Sequence, residues 1–245
     1  MDKDMTVTRK EMLARGVSLF IIRTGTPLLI LLLVYGFLFT HPLLLHKEHE
    51  YFGYKYFSSI LNFDFEEADA EMAFDRILMH EPEYKWLLDS FYNDGYSIFF
   101  DDKLTYALCT VNFVNSTDFA ACVTFDKRTR EAVNGMFVNY ENDNFSEVHF
   151  FHELSHYADW KMGYVSEDPE FTKIFEEEYE CSGLGKYFMN PREYFAQESA
   201  YFIINDSYRK AGLESTYSYE CESAPRTQEY IRARLENLES KEQKR

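Results

Sequence analysis

Basic charge is scarce in this chain, and little of it lies where a nucleic-acid binder would need it. The 245 residues hold 25 Lys and Arg against 42 Asp and Glu, a formal charge of −17. The first 26 residues carry five basic groups (Lys3, Arg9, Lys10, Arg15, Arg23) against three acids (Asp2, Asp4, Glu11). With two excess positive charges there, −19 falls on the rest. Such a body is repelled by phosphate backbones and stays soluble, which argues against nucleic acid and leaves a basic or neutral polypeptide as the easier partner. Cysteine is also sparse. Cys109, Cys122, Cys181 and Cys221 include no CxxC pair, so no metal knuckle is encoded. Two disulfides in an oxidising compartment, with three possible pairings, or buried thiols remain open. Cys109 and Cys122, in ALCTV and AACVT on either side of NSTD, could lie on paired strands. There is no internal repeat and no low-complexity linker, which leaves one main domain with an appendage. The apolar content of 46% is ample for its core.

Charge is missing altogether from Thr24 to Leu45, TGTPLLILLLVYGFLFTHPLLL. As one helix these residues would span about 33 Å, roughly a bilayer core. The basic excess precedes them, so the positive-inside rule predicts residues 1–23 in the cytoplasm, a transmembrane signal anchor over 24–45, and the body outside the cell. A cleaved signal peptide and a buried core helix are the alternatives. No small-x-small cleavage site follows Phe39, and a core helix would need a polar face.

Past the anchor, HKEHEYFGYKYFSSILNFDF reads as an aromatic connector. A helical pattern begins at Glu66, and a second helix follows Pro82 and stops at Asn93-Asp94-Gly95. YSIFF, TYALCTVNFV, FAACVTF and GMFVNY then predict four strands in a meander-like sheet. Helical patterns return over His149–Trp160, Pro169–Glu180, Pro191–Ile204 and Thr227–Glu239. Helices, sheet, helices implies an α+β fold with the sheet packed on the later helices. Asn115, Asn144 and Asn205 begin glycosylation sequons, which matter only in a eukaryotic secretory pathway.

The chemistry is concentrated in HFFHELSHYADW, His149 to Trp160. Residues four apart share a helical face, so His152 and His156 can aim both imidazoles at one ion, while Glu153, about 100° round the helix, is left to take a proton from a water. A catalytic zinc needs a third protein ligand. Among the candidates, His149 cannot complete a tetrahedron from the same continuous helix and reads as an ordinary first-turn histidine. Asp159 could hold a histidine N–H, cap a turn or form an ion pair. Glu176 to Glu178 read as a solvated face. Glu193 follows Asn190-Pro191, which opens a new helix, and its apolar neighbours turn it inward, where a carboxylate is costly unless paired or bound to metal.

HELSHYAD together with NPREYFAQESAYF, whose Glu193 lies 37 residues after the second histidine, resembles the catalytic core of the anthrax lethal factor-like zinc metallopeptidases, which include the Pro-Pro endopeptidase-like proteins. Residues 51–238 would then form a zincin-type, gluzincin-like domain followed by a charged tail, 239–245. The resemblance implies Zn2+ held by His152, His156 and Glu193, Glu153 as general base, and Asp159 at the family's aspartate. It also implies a tyrosine for the oxyanion, which falls on Tyr187, six residues before Glu193, or on Tyr179. Gln197 stands where the family often has a second glutamate. GMFVNY matches the family's edge strand, which would pair with an extended polypeptide substrate. The expected function is a membrane-anchored zinc endopeptidase, with a pseudopeptidase binding a polypeptide in the same groove as the alternative.

Overall fold

The computed structural model describes residues 26–40, 42–61, 65–75, 78, 82–101, 105, 121–124, 135–139, 146–215 and 217–244. The first described helix, α1 (Thr26–Thr40), covers 15 residues, about 22 Å of rise. Among the described residues no helix is long and apolar enough to cross a membrane. Leu28 to Val34 are 50–65% exposed, so α1 is not the buried core helix considered as an alternative. Beyond it, Pro42–Leu45 forms a 3-10 turn whose last residue is buried and whose Leu45 carbonyl accepts the Ile60 N–H at 2.8 Å. The end of the uncharged stretch is therefore built into the folded body.

The expected connector is instead a hairpin. Strands β1 (His46–Tyr51) and β2 (Tyr54–Ser59) pair antiparallel with Tyr51 opposite Tyr54. The two-residue turn places Phe52 at φ 48° and Gly53 at φ 83°. Two positive φ angles match the right-handed twist of the flanking strands; glycine adopts one freely, and Phe52 bears the strain. The hairpin escaped the sequence reading because HKEHE is charged, as suits an exposed edge strand, and the period of two shows only in β2, where Tyr54, Tyr56 and Ser58 face inward.

Among the described residues the sheet has five strands in the order β1-β2-β3-β5-β4, with β3 at Ser97–Asp101, β4 at Ala121–Thr124 and β5 at Gly135–Asn139. It is not a meander: β2 and β5 both run parallel to β3, and only the outer pairs are antiparallel. Parallel neighbours require a crossover, and between β2 and β3 the chain passes through α2 (Glu67–Asp75) and α3 (Lys85–Asn93). GMFVNY, expected at the edge, is the interior strand β5; among the described residues the outermost strand on that side is β4. Interior placement explains why all five β5 residues are buried and why the strand starts at glycine, since a Cβ on Gly135 would lie 2.4 Å from the Ser97 carbonyl oxygen. The candidate strand at 105–114 lies outside the described residues except for Thr105, whose Oγ1 meets Ser59 Oγ at 2.5 Å. Cys109 also lies outside; Cys122 is on β4, and Cys181 is a free, exposed thiol.

The later helices are α4 (Glu147–Lys161), α5 (Pro169–Ser182), α6 (Pro191–Lys210), the short α7 (Ser218–Ser223) and α8 (Pro225–Glu242). The fold is mixed α+β. Proline opens α5, α6 and α8, where its missing N–H costs nothing, and Gly183 ends α5 in the left-handed conformation. Helix α4 packs on α6 on one side and on β4 on another. Phe151, Leu154 and Tyr157 from α4 and Phe195 and Ile203 from α6 are fully buried in the same core as Ile98 and Met136 of the sheet. At its C-terminus α4 is fixed by Lys161, whose buried ammonium reaches Asp94 at 3.0 Å and Glu242 at 2.8 Å.

Candidate metal centre

His152, Glu153 and His156 lie on the middle turns of α4, with His152 and Glu153 buried. Glu193 comes from the first turn of α6, where the Asn190 side chain caps the helix by accepting the Glu193 N–H at 3.0 Å. That cap and the packing of α4 on α6 bring the carboxylate to the histidines across 37 residues of chain.

The donor atoms form a near-equilateral triangle. His152 Nε2 and His156 Nε2 are 3.1 Å apart, Glu193 Oε2 is 3.2 Å from the first and 3.5 Å from the second. Donors about 2.0–2.1 Å from a tetrahedral zinc stand roughly 3.3 Å from one another, so the triangle is the size of one face of that tetrahedron. Among the described residues these three are the group able to hold a metal ion.

Protonation favours the same reading. His152 Nδ1 lies 3.1 Å from Gln197 Oε1. A carboxamide oxygen only accepts, so the proton sits on Nδ1 and Nε2 presents its lone pair to the triangle. Two imidazole nitrogens and a carboxylate oxygen facing one another repel unless a cation lies among them. Without a metal, a proton plays that part. Burial lowers the His156 pKa, but the hydrogen bond to Glu193 and the charges of Glu153 and Glu193 outweigh it and raise the net value. Burial pushes the Glu193 carboxyl up, and the hydrogen bonds and positive charge that the two histidines supply when their Nε2 atoms are protonated bring it well below the usual carboxylate range.

The neighbouring residues divide differently. His149 Nδ1 meets Ser146 Oγ at 2.9 Å in the first turn of α4. Asp159, buried at the far end of α4, accepts from the Ser166 N–H at 2.9 Å and its hydroxyl at 2.5 Å, so it holds the loop after α4. The residue fixing His152 is Gln197. Tyr179 donates its hydroxyl to the Leu184 and Gly185 carbonyls, 3.3 and 3.0 Å away, and so closes the loop after α5. Tyr187 is 69% exposed on the 3-10 turn Lys186–Phe188, edge-on to Phe188, whose ring packs against His152. The acidic run on α5 is not wholly solvated. Glu178 is buried and accepts the N–H groups of Arg226 at 3.0 Å and Thr227 at 2.9 Å, capping α8 from a neighbouring helix. A buried member of an exposed-looking acidic run has no sequence signal; only the period of the apolar residues Phe171, Ile174 and Phe175 hints that position 178 faces inward.

No protein-family model matches the chain, and no curated protein or solved structure is similar to it.

Proposed function

We propose that the protein is a zinc-dependent endopeptidase with a zincin-type domain, tethered to a membrane through the apolar segment 24–45 and acting on polypeptides outside the cell. The carrying observation is the donor triangle built from two helices, with the His152 tautomer set by Gln197. The resemblance of HELSHYAD and NPREYFAQESAYF to the lethal factor-like peptidases supports it.

When bound, zinc supplies a Lewis acid that acidifies a water and polarises the peptide carbonyl. His152, His156 and Glu193 would hold it. Glu153 does not enter the triangle; next to His152 on the same helix and buried, it is the carboxylate that would take the proton of that water and return it to the leaving amine. Tyr187, on the exposed turn beside His152, provides the hydroxyl for the oxyanion. An extended substrate pairs with β4, the outermost of the described strands on the side that lies against α4.

The test is elemental analysis of the purified chain together with turnover of a peptide library. One zinc per chain and peptide cleavage are expected. Zinc without cleavage would favour the polypeptide-binding pseudopeptidase, and no zinc after reconstitution would remove the peptidase reading and leave a metal-free polypeptide binder.

A further inference from the structure

Arg192 occupies a position that helix electrostatics disfavour. Asn190 caps α6 and Pro191 is its first residue, so Arg192 is the second, at the positive end of the helix dipole. Acids are stabilised there, and a cation is opposed. In a chain with 42 acidic residues, Arg192 makes no close salt bridge among the described residues, although its charge is felt by the buried Asp159 carboxylate. Its guanidinium lies instead over the ring of Tyr164, 4.8 Å from the centroid.

That platform is itself strained and rigidly held. Tyr164 adopts φ 64° and ψ 58°, a left-handed conformation that is unfavourable for a residue with a side chain. Its N–H donates to the Asp159 carbonyl at 2.8 Å, and its own carbonyl accepts from Glu167 at 2.9 Å. The Asp159 carboxylate then fixes Ser166 two residues further on. Asp159, too far along α4 to bind the metal, thus braces the loop that presents Tyr164 to Arg192. Arg192 adjoins Glu193, and its positive charge bears on His156. A local rule broken this consistently beside a candidate centre marks a functional placement.

We propose that Arg192 is a specificity-determining residue that receives a carboxylate of the polypeptide substrate, an acidic side chain or a free C-terminus within a residue or two of the bond that is cut. This rests on the peptidase reading. Stacking on Tyr164 holds the guanidinium plane while leaving its N–H edge to form paired hydrogen bonds with a carboxylate. The acidic body does not forbid such a substrate, because its repulsion is screened within about 8 Å at physiological salt while the Arg192 contact is direct.

The test uses the full chain in detergent with randomised octapeptides, one library containing Asp and Glu and one without, each with free or amidated C-termini. Products are read by mass spectrometry for the wild type, Arg192→Gln, Arg192→Lys and Arg192→Glu, with zinc content measured for each. In wild-type products, Asp, Glu or a free C-terminus should be enriched roughly tenfold at one position near the cut. The library arms tell the two carboxylate sources apart. Arg192→Gln should abolish that enrichment while keeping one zinc per chain, Arg192→Lys should retain part of it, and Arg192→Glu should turn it toward Lys and Arg. Wild-type products without acidic enrichment, or the same enrichment in Arg192→Gln, would overturn the assignment. If zinc is bound and nothing is cleaved, the peptidase reading fails by itself. The same libraries are then read for retention on the immobilised chain: acid-rich retention lost in Arg192→Gln upholds the role of Arg192, and equal retention of both libraries overturns it.

Discussion

His152 Nδ1 and Gln197 Oε1 stand 3.1 Å apart across the contact between α4 and α6. A neutral carboxamide fixes the histidine tautomer without adding charge, whereas a carboxylate there would also make the imidazole a stronger donor. Gln197→Leu should weaken zinc binding by about 10–100-fold, and Gln197→Glu should match or exceed the parent. Competition against a chromophoric chelator measures both. A leucine variant that binds zinc as tightly as the parent would show that Gln197 only fills space.

The triangle predicts a separation of roles between residues one position apart. His152→Ala, His156→Ala and Glu193→Ala should each lose the metal. Glu153→Gln should keep one zinc per chain and lose turnover by about 10²–10⁴-fold, the usual contribution of a general base. Normal cleavage by Glu153→Gln would contradict the mechanism.

Glu178 is a stability prediction rather than a catalytic one. Its two oxygens accept the first N–H groups of α8, so Glu178→Ala leaves buried donors without a partner and should cost about 2–3 kcal/mol. Chemical denaturation should show this as a lower midpoint at unchanged slope, with zinc content preserved. A change under about 0.5 kcal/mol would put the capping account aside.

Where the body begins is also testable. A chain starting at Tyr51 would lack β1 and with it His46, whose Nε2 lies 2.8 Å from Asp101 Oδ1 with both side chains fully buried. One starting at Pro42 keeps both. The shorter form should be less stable by about 1–3 kcal/mol, the cost of losing this buried hydrogen bond, even before the strand itself is counted. Equal thermal midpoints for the two would mean that the hairpin is dispensable.

His49 supplies a pH dependence away from the metal centre. Burial lowers its pKa below the usual 6.5, and the attraction of Glu67 offsets this only in part. The folded state therefore prefers neutral His49, stacked 4.8 Å from Tyr56 and 2.8 Å from Ser58 Oγ. As pH falls below about 6.5 the unfolded chain binds the proton first, so this contribution to stability is present above that pH and lost below it. Melting curves from pH 7 to 5 should lose part of that slope in His49→Gln, and an NMR titration of His49 centred above 6.5 would reverse the sign.

The helices of the second half were legible because each carries its own punctuation: Pro169 and Pro191 open α5 and α6, the apolar period runs between, and Gly183 closes α5. The short α7 carries no such marks and was missed. The sheet was less legible. β3, β4 and β5 were recognised as strands, but strand order depends on contacts between residues far apart in sequence, and nothing local tells an edge from an interior position. So the meander gave way to a mixed sheet, and β5, expected at the edge, proved to be interior.

The sequence by itself determined which residues could bind a metal. Histidines at i and i+4 share a face through helix geometry alone, and Asn190-Pro191 sets Glu193 in the first turn of a new helix. Only the tertiary structure decided that the two helices meet with donor atoms 3.1–3.5 Å apart, that Gln197 and not Asp159 orients His152, and that Arg192 stacks on a strained Tyr164. The physical reason is the same in each case: helix periodicity fixes a side chain's direction within a few residues, while the partner it meets depends on packing between segments that the local sequence does not encode.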